Sequence, residues 1–161
     1  PNAAYASLPT SANSKVKVFN PSRDQVRQFF FGVWSKYRAG QPLAGAEQPA
    51  LDAVLAHPEY HAILDHPERY QNRDYLPEAG ETNPFLHLSM HLAIIEQITV
   101  DQPPGIRERY QQLIKQYGNE MNAQHAVMDC LAEMIWQAQR HQTPFESSAY
   151  LQCLDLKLGK T

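Results

Sequence analysis

The sequence predicts an all-α protein, a single compact domain of five to six helices packed as a bundle or an orthogonal array. Apolar residues recur at the three-and-four spacing of one helix face in successive stretches. Prolines and glycines fall between those stretches, and nothing reads as a convincing sheet. At 161 residues the chain can bury a core without staples, and its 43% hydrophobic and 19% charged residues are those of a globular protein.

Residues 1–18, rich in Ala, Ser, Asn and Pro without helical period, read as a flexible leader, leaving an all-helical domain over 19–161. Asn20-Pro21 opens the first helix, because asparagine caps free N–H groups and proline suits the first helical position. Val26, Phe29, Phe30, Val33, Trp34 and Tyr37 form its apolar stripe, and Gly40 and Pro42 stop it. A second, shorter helix runs over 49–56, burying Leu51, Val54 and Leu55. His57-Pro58-Glu59 is then echoed by His66-Pro67-Glu68, which reads as two successive helix starts or turns. Residues 70–82 form a polar, mildly acidic loop.

Asn83-Pro84 opens the central helix, expected to continue to Thr99. His87, His91, Ile94, Ile95 and Ile98 share one of its faces, with Phe85, Leu88 and Leu92 widening the apolar arc. Pro103-Pro104-Gly105 breaks the chain before a fourth helix carrying Ile106, Tyr110, Leu113, Ile114 and Tyr117 and ending at Gly118. A fifth, over 122–140, sets Val127, Cys130, Leu131, Met134 and Ala138 against a second stripe of His125, Asp129, Trp136 and Arg140. The sixth opens at Thr143-Pro144-Phe145-Glu146, a capping-box pattern, and buries Tyr150, Leu151, Leu154 and Leu158.

The formal charge of −3, without a dense basic run, argues against a nucleic-acid partner. No apolar run is long enough to span a bilayer, and no secretory signal pattern opens the chain, so no membrane partner and a cytoplasmic location are expected. Cys130 and Cys153 lack metal-finger or redox spacing and read as reduced, partly buried thiols.

Five strings together carry a resemblance: Asn-Pro-Ser-Arg-Asp-Gln at 20–25, Leu-Ala-His-Pro-Glu-Tyr-His at 55–61, Gly-Glu-Thr-Asn-Pro-Phe-Leu-His-Leu-Ser-Met-His-Leu-Ala at 80–93, Asp-Gln-Pro-Pro-Gly-Ile-Arg at 101–107, and the helix over 125–140. Over roughly residues 19–154 the chain resembles a family of short, all-helical proteobacterial proteins catalogued as a domain of unknown function. The leader departs from that pattern. The resemblance implies a helical bacterial protein and brings no activity, cofactor or catalytic residue with it.

Chemistry is carried by the histidines. His87 and His91, one turn apart on one helix face, can present two imidazole nitrogens to a divalent ion such as Zn, Mn, Fe or Ni. Leu88 stands where a zinc protease helix carries its glutamate base, so that motif is absent. Further ligands are sought in His57 and His61, and in His125 with Asp129 and Glu133, since bundle sites assemble from facing helices. The structural alternative has His57 capping the turn at Pro58 and His91 donating to a backbone carbonyl. Nucleophilic catalysis has no support: helix geometry separates Cys130 from His125, and Ser89 lies across the wheel from the histidines.

Two function classes follow. One is a metal-binding helical protein, with a hydrolase as one form, using His87 and His91 with help from His61, His125 or Asp129. The other is a non-enzymatic interaction module, a homodimer or a protein-partner binder, presenting the Trp136 face, in which the histidines are structural.

Overall fold

The computed structural model describes residues 22–160, and among these every regular element is helical. The α-helices are α1 Arg23–Arg38, α2 Glu47–Leu55, α3 His61–Leu64, α4 Pro67–Tyr70, α5 Pro84–Val100, α6 Ile106–Tyr117, α7 Glu120–His141 and α8 Ser147–Lys157. Two 3₁₀ turns, Pro58–Tyr60 and Pro77–Ala79, complete the described residues. Eight helices exceed the five to six expected, because each His-Pro-Glu turn nucleates a four-residue helix too short for any periodic signal. The leader at 1–18 and the Asn20-Pro21 helix start lie outside the described residues. No described helix is long and apolar enough to cross a membrane.

The described residues divide after Leu92 into two compact units. In the first, α1 starts at Ser22, whose hydroxyl accepts from the Gln25 N–H at 3.2 Å while the Gln25 side chain accepts the Ser22 N–H at 2.8 Å. Phe30, Phe31, Val33 and Trp34 of α1 pack with Ala50, Leu51, Ala53 and Val54 of α2, and with Leu64, Phe85 and Leu88. Two predicted apolar positions, Tyr37 and Leu55, are exposed, and Ala50 and Ala53 are buried in α2 beside Leu51 and Val54.

The charge buried in this unit was not anticipated. Arg27 is 1% exposed, and its Nη1 donates to the carbonyls of Tyr70 at 2.9 Å, Gln71 at 3.0 Å and Arg73 at 2.7 Å. Its guanidinium also lies 4.8 Å from the Phe85 ring centroid. Carbonyls at the end of α4 thus receive a fixed positive charge, and the loop after the second His-Pro-Glu turn is tied to α1.

In the second unit α7 packs against both α6 and α8. Ile106, Tyr110 and Leu113 of α6, Val127, Cys130, Leu131 and Met134 of α7, and Tyr150 and Leu154 of α8 are buried. The Asp101 carboxylate accepts the N–H groups of Gly105 at 3.2 Å and Arg107 at 3.0 Å, placing negative charge at the α6 N-terminus. These two N–H groups, Arg107 first, hold its pKa below the ordinary carboxylate value.

Two expectations for this unit are corrected. The Thr143-to-Glu146 capping box does not form: Glu146 itself occupies the cap position of α8, with no side-chain cap bond. Cys130 and Cys153 are joined in a disulfide and are not free thiols. Neighbouring helices bring their Cα atoms to 5.8 Å, inside bridging range, an adjacency that spacing along the chain does not reveal.

Candidate metal centre

The candidate centre lies within the first unit and is built by two elements. Val54, buried, anchors the end of α2, and the chain leaves it through Ala56 into His57. Pro58 removes its own N–H and keeps His57 out of the helical region, at φ −124° and ψ 69°. The break leaves the imidazole of His57 facing inward, 4% exposed. Its Nδ1–H donates to the Ala53 carbonyl at 2.6 Å, and since a carbonyl can only accept, this bond fixes the proton on Nδ1 and the lone pair on Nε2.

The second element is α5, capped by Asn83, whose side-chain oxygen accepts the N–H groups of Phe85 at 3.0 Å and Leu86 at 3.2 Å. Phe85 and Leu88 are fully buried, and their packing sets the rotation of the helix. His87 and His91 therefore share one face, as expected from the four-residue spacing, with His91 1% exposed and His87 half-buried.

The three imidazoles converge. His87 Nε2 lies 2.9 Å from His57 Nε2 and 3.2 Å from His91 Nε2. The candidate ligand atoms of all three lie within 4.8 Å of one another. One ring nitrogen carries either a proton or a lone pair, so His87 Nε2 can satisfy both neighbours only as a shared donor to two lone pairs. Tetrahedral coordination at an ordinary Zn–N distance sets ligand nitrogens about 3.3 Å apart, close to both separations. The donors are imidazole nitrogens alone, a set suited to Zn, Cu, Fe, Co or Ni and not to Mg or Ca.

Other predicted ligands are placed differently. His61, one turn after His57, donates its Nε2–H to the Val54 carbonyl at 2.8 Å and stacks on Trp34 with ring centroids 4.4 Å apart. It belongs to the aromatic core and not to the imidazole group. His125 is half-buried on α7 of the second unit. Asp129, one turn further along, is exposed with its carboxylate 3.3 Å from Lys157 Nζ. Trp136 is 51% exposed, with the Arg140 guanidinium 5.0 Å from its ring centroid. Ser89 is buried and donates to the Phe85 carbonyl at 2.6 Å, away from any catalytic role.

The sequence expectation gave His57 less weight than His87 and His91, because the proline break obscured its direction. Tyr60 was missed outright. Its ring stacks on His57 with centroids 5.4 Å apart and an interplanar angle of 4°, and meets the edge of His87 at 6.0 Å. The only signal for it was its place in the His-Pro-Glu-Tyr string.

The fold and the imidazole group define an all-helical protein with a candidate histidine-only metal centre. The chain belongs to the family described as Domain of unknown function (DUF1841), whose model matches residues 22–156. Comparison with curated proteins and with solved structures finds no match.

Proposed function

We propose that this chain is a transition-metal-binding protein whose centre is built on His57, His87 and His91. The observation that carries the reading is the convergence of their Nε2 atoms at 2.9 and 3.2 Å. A cation takes the place of the proton that His87 Nε2 shares between its two neighbours, and receives the lone pairs of all three imidazoles. The Ala53 carbonyl orients His57 as outer partners orient metal-bound imidazoles. Three ligands on two elements tie the 57–60 turn to α5, so binding couples to the stability of the first unit. The sequence offers His125 and Asp129 as further ligands, the Asp129 carboxylate lying 3.3 Å from Lys157 Nζ. A His125→Ala variant decides the number of imidazoles: unchanged affinity assigns three, a loss of tenfold or more, on the order expected for a ligand, assigns four.

The test is thermal unfolding of untagged protein with added Zn, Co, Ni, Cu, Fe or Mn. A metal at about a hundredfold its Kd adds about 2.7 kcal/mol of stability. The gain weakens in acid, because metal binding requires deprotonated ligands. No stabilisation by any of these ions contradicts the reading.

A second reading, a homodimer presenting the Trp136 face, is supported by the 51% exposure of that indole beside Arg140. Its test is the mass in solution of wild type against Trp136→Ala. A monomeric wild type removes it. The cytoplasmic location expected from the sequence is in tension with the Cys130–Cys153 disulfide, because cytosolic reductants keep such pairs open. Trapping of free thiols in intact cells decides it.

A further inference from the structure

We propose that His61 is a positioning residue of the histidine centre, whose side chain closes the turn that carries His57 and so holds that imidazole toward His87. This inference rests on the metal reading and extends it from the ligands to the group that sets one of them in place.

The last carbonyls of a helix have no partner within it. At the end of α2 two of them are taken by imidazoles: Ala53 accepts the His57 Nδ1–H at 2.6 Å, and Val54 accepts the His61 Nε2–H at 2.8 Å. Val54 is fully buried, and its carbonyl also accepts the His57 backbone N–H at 3.0 Å. Both lone pairs of that oxygen are then used, and His57 and His61 share one anchor. The bond from His61 spans seven residues and closes the chain around Pro58 and Tyr60. Because His61 Nε2 carries its proton against a carbonyl, that nitrogen has no lone pair for a metal, and its part is to orient a ligand.

His61 is in turn held from outside the turn. Its ring stacks on Trp34 of α1 with centroids 4.4 Å and planes 30° apart. Trp34 is 4% exposed, and its indole N–H donates to the Asp65 carboxylate at 2.7 Å. The stacked ring therefore has little freedom to leave the Val54 carbonyl. Backbone bonds alone do not place such a histidine. In the echoed turn the His66 N–H donates to the Ile63 carbonyl at 3.2 Å, matching the bond of His57 to Val54, yet His66 is exposed.

Two variants of the full chain separate the donor from the ring. His61→Phe keeps a ring against Trp34 and loses the donor, whereas His61→Gln loses the ring and keeps an amide N–H for the Val54 carbonyl. Zn affinity is read by competition with a chromogenic chelator, under conditions where urea unfolding shows each protein to be folded. His61→Phe is expected to bind Zn about tenfold more weakly than wild type, and His61→Gln within about threefold of it. In the metal-free protein the His57 Nδ1 proton, followed by NMR, is expected to exchange at least about tenfold faster in His61→Phe than in wild type or His61→Gln. Wild-type affinity or wild-type exchange in His61→Phe overturns the inference. So does an equal loss of affinity in both variants, the result for a residue that ligates the metal itself. Failure of wild type to bind Zn or any other ion is a different result: it removes the metal reading, and the exchange rates in the metal-free protein then decide whether His61 holds His57.

Discussion

His57-Pro58-Glu59 and His66-Pro67-Glu68 adopt nearly the same backbone and reach different ends. Their histidines cap the turns at φ −124°, ψ 69° and at φ −129°, ψ 67°, each kept out of the helical region by the proline that follows. His57 is buried, its Nδ1–H given to Ala53 and its Nε2 set against His87. His66 is exposed, and its Nδ1–H donates to the Glu68 carboxylate at 3.1 Å. Local sequence makes the turn, and what lies across from it makes the chemistry. The first turn faces α5 and its histidines. The second is held from its far end, where Arg27 donates to the carbonyls of Tyr70 and Gln71.

Substitution separates the two turns most sharply at their histidines. His57→Ala or His91→Ala is expected to lower metal affinity at least about a hundredfold, while His66→Ala leaves it within twofold, as read by competition with a chromogenic chelator. A comparable loss in His66→Ala breaks the comparison. Next in size is the support of the second turn. Arg27→Met keeps an apolar stem against Phe85 but removes the donor shared by three carbonyls, of which Tyr70 keeps the Arg73 N–H, Arg73 keeps the Arg23 guanidinium and Gln71 loses its partner. The expected destabilisation is about 2–4 kcal/mol by urea unfolding.

The smallest effect belongs to the exposed contact. The Glu68 carboxyl is held below the ordinary glutamate value of 4.5, first by its own backbone N–H and next by His66. A carboxylate depressed in the folded state stabilises above its unfolded pKa and loses that contribution as pH falls through the folded value. Glu68→Gln should therefore converge on wild type as pH falls through the lowered folded pKa of Glu68 and differ by no more than about 2 °C in Tm near pH 6, given the weakness of exposed pairs. A large shift at pH 6 makes the second turn as coupled as the first.

These contrasts show how much of the molecule was legible in its sequence. The helical class was, because apolar periodicity is local: Ile106–Tyr117 and Pro84–Val100 are found within a residue or so of their expected ends. The pairing of His87 with His91 was legible for the same reason. Arg27, by contrast, lies in the helix beside an apolar stripe and reads as a solvated charge, since the carbonyls that bury it come from residues more than forty positions away. The disulfide and the inward turn of His57 likewise depend on which elements meet. The echo was visible in the sequence, and nothing local told its two histidines apart.

The central claim is tested most directly by elemental analysis of untagged protein, purified without chelators, beside a His57→Ala/His87→Ala/His91→Ala variant purified in parallel. The account predicts about one transition-metal ion per chain in the wild type, with zinc, copper, iron, cobalt or nickel as the candidates, and none in the variant. Metal-free wild type that no added ion restores, or equal metal in the two proteins, contradicts it.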